Sequence, residues 1–152
     1  MLDRVKNYID SLLVAESTDD TEDRLQIATT ALLIEMMRQD NIERNAERKL
    51  IMKLIRSSFP ISEDEAETLY QLAAKELDAA VDYYQFTKLI ARHFTPQQKI
   101  TVIENLWKVA FADHALDALE EHMVRRIAGL IHVSHRDFIR TKYQVKQSLS
   151  SC

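Results

Sequence analysis

The chain has 152 residues, of which 46% are hydrophobic and 29% are charged, and its formal net charge is −4. This size and composition are typical of one globular domain with a hydrophobic core and exclude a disordered chain. One glycine and two prolines are too few for the turns of a sheet protein or for a glycine-rich phosphate-binding loop. The composition therefore predicts an all-α protein without a nucleotide-binding loop.

Cysteine usage and the lack of long apolar runs indicate where the protein resides. The lone cysteine, Cys152, is the last residue, so an internal disulfide is impossible and a reducing compartment fits. No apolar run approaches the ~20 residues that span a bilayer. The N-terminal segment carries Asp3, Arg4 and Lys6 within an amphipathic pattern, and this arrangement is not typical of a signal peptide. We expect a cytoplasmic protein with no transmembrane segment.

Hydrophobic periodicity predicts three helices in the first part of the chain, over residues 2–15, 22–38 and 43–57. The acidic run over residues 16–23 predicts a loop that caps the second of these helices. This second helix is apolar on nearly every side, a pattern typical of the central helix in a bundle.

Short motifs that signal the start of a helix divide the middle of the chain. Ser62 with Glu65 forms a capping-box pattern, and it predicts a helix that runs to a break near Asp82. A shorter helix follows. Thr95 and Pro96 then start a helix that places apolar residues on the core side up to the second acidic stretch.

The last part of the chain predicts two more helices. One covers residues 118–129, with Gly129 as its C-terminal cap. Ser134, followed by Asp137 three residues later, starts the final helix. In total the sequence predicts an all-α, compact bundle of about seven to eight helices.

Two acidic helix connections resemble one another, and we name them the first elbow (residues 39–47) and the second elbow (residues 112–122). Each has an aspartate where a helix ends and a glutamate seven residues later. A shift of 73 residues places one elbow on the other, aligning Asp40 with Asp113 and Glu47 with Glu120.

The correspondence continues beyond the elbows. Ile61-Ser62 matches Val133-Ser134 at a shift of 72 residues. We therefore predict a single domain over residues 1–152 with an internal helix-elbow-helix duplication, in which repeat 1 covers about residues 22–81 and repeat 2 about residues 96–149.

The elbows are candidate sites for a divalent cation. Hard cations such as Ca²⁺ and Mg²⁺ prefer several oxygen ligands, and a duplicated hairpin could bring two carboxylate pairs together. Clustered carboxylates repel one another, and a cation relieves that repulsion. We predict no organic cofactor. The candidate metal ligands are Asp113, Glu120, Asp40 and Glu47.

A purely structural interpretation of the same acids stays open. Asp117 and Glu120 have the spacing of an N-cap residue and its N3 partner, and acids near a helix N-terminus are favourable for electrostatic reasons. Asp40 and Asp113 fit this interpretation less well, because each lies near the end of the preceding helix.

Charge distribution suggests an alternative function. Residues 61–82 are strongly acidic and residues 121–152 are basic. The basic block could make the protein a metal-independent scaffold that binds another protein or an anionic surface, although such blocks are often only solvated helix faces. Nucleic-acid binding is not expected. The candidate partner-binding residues are Arg125, Arg126, Arg136 and Arg140.

Catalytic patterns are missing from the sequence. It contains no Glu-x-x-His pair, no His-Glu-x-x-His motif and no serine in a hydrolase-type nucleophile elbow. We therefore expect a protein that is not an enzyme and predict no catalytic residues.

With these residues in view, the chain resembles the tellurite-resistance TerB-like family, most closely over residues 100–143 and more loosely over residues 25–56. The glycine that follows the aspartate in the family is replaced here by His114 and Asn41. The matching residues are Ala112-Asp113, Leu116, Glu120-Glu121-His122, Arg125-Arg126-Ile127-Ala128, Asp137-Phe138-Ile139-Arg140 and Lys142.

The resemblance implies a compact helical domain with a proposed metal-binding role for the acidic positions. By position, that role falls on Asp113 and Glu120, and in the first repeat on Asp40 and Glu47. It also implies a link to stress-response or membrane-associated assemblies rather than to catalysis, with protein partners and at most a peripheral contact with a membrane.

Overall fold

The computed structural model describes residues 18–40, 45–112 and 116–150. Within these ranges the chain forms seven α-helices and no strand, which confirms the predicted all-α bundle; the helix predicted over residues 2–15 lies outside them. The helices are α1 (Thr18–Met37), α2 (Asn45–Ser58), α3 (Glu63–Ala79), α4 (Tyr84–His93), α5 (Pro96–Ala110), α6 (Ala118–Leu130) and α7 (His135–Ser150), with a short 3₁₀ helix (Arg38–Asp40) after α1.

Helix α1 is the centre of the bundle and packs against α2, α3, α4 and α5. Its residues from Leu25 to Met37 are almost all buried, as an apolar helix without a polar face requires. Two of the buried residues, Thr29 and Thr30, satisfy their hydroxyls by donating to the carbonyl oxygens four residues earlier, at 2.8 Å. The predicted central helix is confirmed.

The start of α1 corrects one expectation. The acidic run at residues 16–23 was expected to be a loop, but the helix begins at Thr18, four residues before the predicted start. Negative side chains in the first turns of a helix interact favourably with the positive end of its dipole. The acids therefore favour an early helix start.

Two sets of three helices repeat one packing scheme. In the first set α1 packs on α2 and α3, and α2 packs on α3; in the second set α5, α6 and α7 make the same three pairings. The sets meet where α1 packs on α5, and α4 contacts both α1 and α6. A duplication would require this arrangement, and the duplication itself stays a prediction.

The predicted start signals are present as hydrogen bonds. Ser62 Oγ accepts from the Glu65 amide at 3.1 Å, and the Glu65 carboxylate accepts from the Ser62 amide at 3.0 Å. Thr95 and Gln98 form the same reciprocal pair at 3.2 and 2.9 Å, with proline at the first helical position. The Ser134 hydroxyl accepts from the amide of the third residue of α7 at 3.1 Å. These three predictions are confirmed.

The end of α6 corrects the prediction made for Gly129. That residue lies inside the helix with an ordinary φ, and the left-handed residue is His132, with φ of 69°. The Val133 amide donates to the Ala128 carbonyl at 2.8 Å and the His132 amide donates to the Gly129 carbonyl at 3.3 Å. This is a Schellman ending, in which burial of Val133 accompanies the turn and a histidine takes the usual place of glycine.

Trp107 anchors the second set of helices. Its ring is fully buried on α5, with centroids 5.8 Å from Phe111 and 5.2 Å from Phe138. Its Nε1–H donates to Thr141 Oγ1 at 3.2 Å, so the polar end of the indole is satisfied inside the core. Through these contacts Trp107 joins α5 to α7.

Candidate cation site

The first elbow connects α1 to α2. The 3₁₀ helix ends at Asp40 and α2 begins at Asn45; the side chain of Asp40 and residues 41–44 lie outside the described part of the chain. Glu47 is the third residue of α2 and is only 7% exposed. The structure therefore places one of the two predicted ligands of this elbow, on the first turn of a well-formed helix.

The second elbow connects α5 to α6. Asp117 precedes α6 and accepts a hydrogen bond from the Glu120 amide at 2.9 Å, while the Glu120 carboxylate accepts from the Asp117 amide at 3.3 Å. The capping box of the purely structural interpretation is thus present. Glu120 is 8% exposed, and Asp113 lies outside the described residues.

The two glutamates of the elbows share a position and an environment. Glu47 is the third residue of α2, Glu120 is the third residue of α6, and both are more than nine-tenths buried. Glutamate is almost never buried to this extent unless other groups engage its carboxylate, because losing hydration is costly for a charge. The two glutamates that align at the 73-residue shift therefore occupy the same helical position and are buried to a similar extent.

The donor chemistry of these residues suits a hard cation. Carboxylate oxygens are preferred ligands of Ca²⁺ and Mg²⁺, and a carboxylate has about four lone-pair sites, so a capping hydrogen bond does not prevent metal ligation. Within residues 18–40, 45–112 and 116–150, no group of three or more histidine, cysteine, aspartate or glutamate side chains could hold a metal. A complete site would need Asp113 or the side chain of Asp40, and the predicted four-carboxylate cluster stays untested.

A salt bridge holds the C-terminal end of the second elbow. Glu121 accepts a hydrogen bond from Lys142 Nζ at 2.6 Å, and this bond holds the pKa of the Glu121 carboxyl below its ordinary value. The Lys142 ammonium also lies 5.9 Å from the centre of the Trp107 ring. The pair therefore joins the start of α6 to α7. Glu121 thus binds a lysine of another helix, whereas Glu120 takes part in the capping box.

The predicted partner-binding arginines are at the surface, but most of them contact the fold itself. The Arg125 guanidinium carbon lies 4.9 Å from the centre of the Phe138 ring, and that of Arg126 lies 5.1 Å from the centre of the Tyr84 ring. Arg140 binds Asp137 at 3.0 Å, and this hydrogen bond, together with Arg136 nearby, lowers the pKa of Asp137. Three of the four arginines thus make structural contacts.

Sequence reasoning missed a second basic surface, which we name the α2 groove. It is an open groove of about 690 Å³ between α2 and the start of α3. The available signal was the recurrence of basic residues along one face of α2. The lining residues are Asn45, Arg48, Lys49, Met52, Lys53, Arg56, Glu63 and Glu67.

Together, the fold and the elbows define an all-α domain whose two halves each contain a buried glutamate after an acidic helix connection. The chain belongs to the TerB family: the family model described as tellurite resistance protein TerB matches residues 26–143, which include both elbows. No curated protein and no solved structure matches the chain significantly. The family resemblance stated from the sequence is confirmed.

No helix among the described residues is both long enough and apolar enough to cross a membrane.

Proposed function

We propose that this chain is a non-enzymatic TerB-family domain that binds a divalent cation, Ca²⁺ or Mg²⁺, at its acidic elbows. Family membership supports a tellurite-resistance-related domain. The observation that carries the cation proposal is the matched burial of Glu47 and Glu120 at the third position of two helices. Asp113 and Glu120 are the main ligands in this proposal, and Asp40 and Glu47 are the second pair.

The physical argument rests on the cost of burying negative charge. A buried carboxylate loses hydration, and a second carboxylate brought near it adds repulsion. A cation between the aspartate at the end of one helix and the glutamate on the next offsets both costs and fixes the angle of the elbow. Backbone carbonyls and water would complete the six to eight oxygen ligands that Ca²⁺ takes.

The biological setting that we propose follows from the same features. The bound cation would stabilise a surface for assembly with protein partners in a stress response, in the cytoplasm or at the periphery of a membrane. The alternative, a metal-independent scaffold that uses the basic face of α6 and α7, has less support because three of its four arginines contact aromatic rings or Asp137.

Thermal unfolding of chelator-treated protein tests the cation proposal. Saturation with the bound cation at 100 times its dissociation constant adds roughly 2.7 kcal/mol of stability, which corresponds to an increase in Tm of roughly 5–11 °C in a domain of this size. We expect this increase with Ca²⁺ or Mg²⁺ and a smaller one, or none, with Zn²⁺, since the candidate ligands are oxygens.

Two neighbouring substitutions make the test specific. Glu120→Gln combined with Asp113→Asn should abolish the increase in Tm, whereas Glu121→Gln, an identical change at the adjacent glutamate, should preserve it because Glu121 binds Lys142 instead. The same increase in the Asp113/Glu120 variant and in the parent would refute the site assignment. Parent protein that shows no increase with any of the cations would refute cation binding.

A further inference from the structure

The α2 groove has an unusual charge arrangement. Lys49, Lys53 and Arg56 recur at i, i+4 and i+7, so they lie on one face of α2 within about 10 Å along its axis. All three are exposed, and Met52 lies among them as a half-buried apolar residue. The result is a short cationic strip that borders a concave surface and contains an apolar contact point.

The three cations of this strip are not neutralised by the part of the fold that the structure describes. Lys49, Lys53 and Arg56 form no ion pair or hydrogen bond with any described residue. The neighbouring Arg48 differs, because it binds Glu67 and lies 4.7 Å from the centre of the Tyr70 ring. Three like charges within two helical turns repel one another, and a ligand with carboxylates would remove that repulsion.

The opposite side of the groove limits what the ligand can be. Glu63 and Glu67 line it from the first turns of α3, and the whole chain carries a net charge of −4. A broad anionic surface, such as a membrane or a nucleic acid, would be repelled both by this acidic side and by the overall negative charge of the chain. A narrow ligand with its carboxylates on one side fits the groove better.

We infer that the α2 groove docks a short acidic and apolar segment of another protein, with carboxylates at Lys49, Lys53 and Arg56 and an apolar side chain against Met52. This goes beyond the proposed cation function and does not depend on it, because neither Glu47 nor Glu120, the proposed cation ligands whose side chains the structure describes, lines the groove. Charge complementarity provides specificity and association rate, and the apolar contact adds affinity.

A peptide-binding measurement on the full chain tests the inference. The probe is a short fluorescein-labelled peptide with glutamates along one side and a central leucine, titrated with the protein in EDTA and followed by fluorescence anisotropy. The triple variant Lys49→Gln/Lys53→Gln/Arg56→Gln should raise the Kd by roughly tenfold or more, given the usual strength of three exposed ion pairs.

A matched control separates the groove from total charge. The variant Lys88→Gln/Arg92→Gln/Lys99→Gln also removes two lysines and one arginine, on α4 and α5, and should change the Kd by less than about twofold. Equal effects of the two triple variants would overturn the inference, because they would show attraction by total charge alone.

A second measurement locates the peptide and examines the apolar contact. Amide resonances of α2 should shift on titration with the peptide. Met52→Gln should weaken binding of the leucine peptide but not binding of a version with glutamine in place of leucine. No saturable binding up to millimolar peptide, or tighter groove-dependent binding of phosphatidylserine vesicles or single-stranded DNA, would overturn the inference. Because EDTA is present throughout, none of these outcomes bears on cation binding.

Discussion

Helices α2 and α6 each begin after an acidic elbow, and each buries a glutamate at its third position. Their outward faces differ. At the 73-residue shift Lys53 corresponds to Arg126: the lysine lines the open α2 groove, whereas the arginine lies over the Tyr84 ring. The buried glutamates of the two helices are therefore alike, whereas the aligned basic residues on the outward faces make different contacts.

This difference shows that surface charges on equivalent helices can have different roles. On α6 the arginines extend across aromatic rings of α4 and α7 and so contribute to packing. Among the described residues, the basic side chains of α2 other than Arg48, which lies over Tyr70, have no such ring beneath them and remain available to a ligand. We expect substitutions of the exposed arginines on α6 to change the stability of the fold. Substitutions of the exposed basic residues on α2 should instead change the binding of a ligand in the α2 groove.

The largest expected effect concerns the two central helices, where Trp107 on α5 corresponds to Ile34 on α1 at the 73-residue shift. Both side chains are fully buried. Trp107→Ala should lower the free energy of unfolding by about 3–5 kcal/mol and Ile34→Ala by about 2–5 kcal/mol, because each leaves a cavity. Urea unfolding followed by circular dichroism measures both without using tryptophan fluorescence.

The shape of these transitions tests how far the halves are independent. A single transition with an unchanged urea dependence in both variants would indicate one cooperative unit joined through α1 and α5. A separate, earlier transition in only one variant would show that its half unfolds alone. Trp107→Phe serves as the control, because it keeps an aromatic ring and loses only the larger indole and its bond to Thr141.

The second elbow should depend on its capping residue. Asp117→Ala removes the acceptor for the Glu120 amide and should cost about 1 kcal/mol of stability, whereas Asp117→Asn keeps an acceptor and should cost much less. Urea unfolding of the two variants measures the difference. Similar losses in both variants would mean that the charge of Asp117, and not its hydrogen bond, is what stabilises α6.

A smaller effect should separate the corresponding residues on the outward faces. Arg126→Gln should lower stability by about 0.5–1 kcal/mol, because it removes the contact with the Tyr84 ring. Lys53→Gln should be nearly neutral. A double-mutant cycle with Tyr84→Leu measures the coupling, and a coupling near zero would mean that Arg126 is as uninvolved in packing as Lys53.

The smallest effect depends on pH. The hydrogen bond from Lys142 lowers the pKa of Glu121 below its ordinary value of 4.5, so the folded state binds this proton less readily than the unfolded state does. The pair therefore adds stability above the unfolded pKa, and this stability is lost as pH falls through the folded pKa. Glu121→Gln should cost from a few tenths to about 1 kcal/mol at neutral pH.

Chemical unfolding of parent and Glu121→Gln protein over a pH series measures this dependence. The difference in stability between the two proteins should be constant from neutral pH down to about pH 5 and should shrink below that value. A difference that grows as the solution is acidified would contradict the assigned sign.

Sequence patterns predicted the features that depend on a few neighbouring residues. The boxes at Ser62 and Thr95 involve four consecutive residues each, and the buried side of α1 follows from an apolar pattern within one helix. Local chemistry was sufficient there because both partners of each interaction lie within a few residues along the chain.

Features that join distant parts of the chain were not predictable in this way. The contact of Arg126 with Tyr84 and the groove between α2 and α3 both depend on how helices pack. The prediction of Gly129 as the C-terminal cap of α6 was wrong for a different reason. A glycine near a helix terminus suggests a cap, but burial of Val133 stabilises a turn in which His132 takes the left-handed conformation. Of the candidate cation site, the sequence predicted the matched glutamates but not their burial.

The near-complete burial of residues 25–37 in α1 has a consequence during protein synthesis. One of its neighbours, α5, ends at Ala110, so about seventy residues must be added after α1 is complete before that neighbour exists, which takes on the order of 4–15 s at ribosomal speed. During that time the apolar face that packs on α5 is exposed in the nascent chain. Substitutions that weaken α5 should therefore reduce the yield of protein in cells, through chaperone capture and aggregation, before any binding activity is altered.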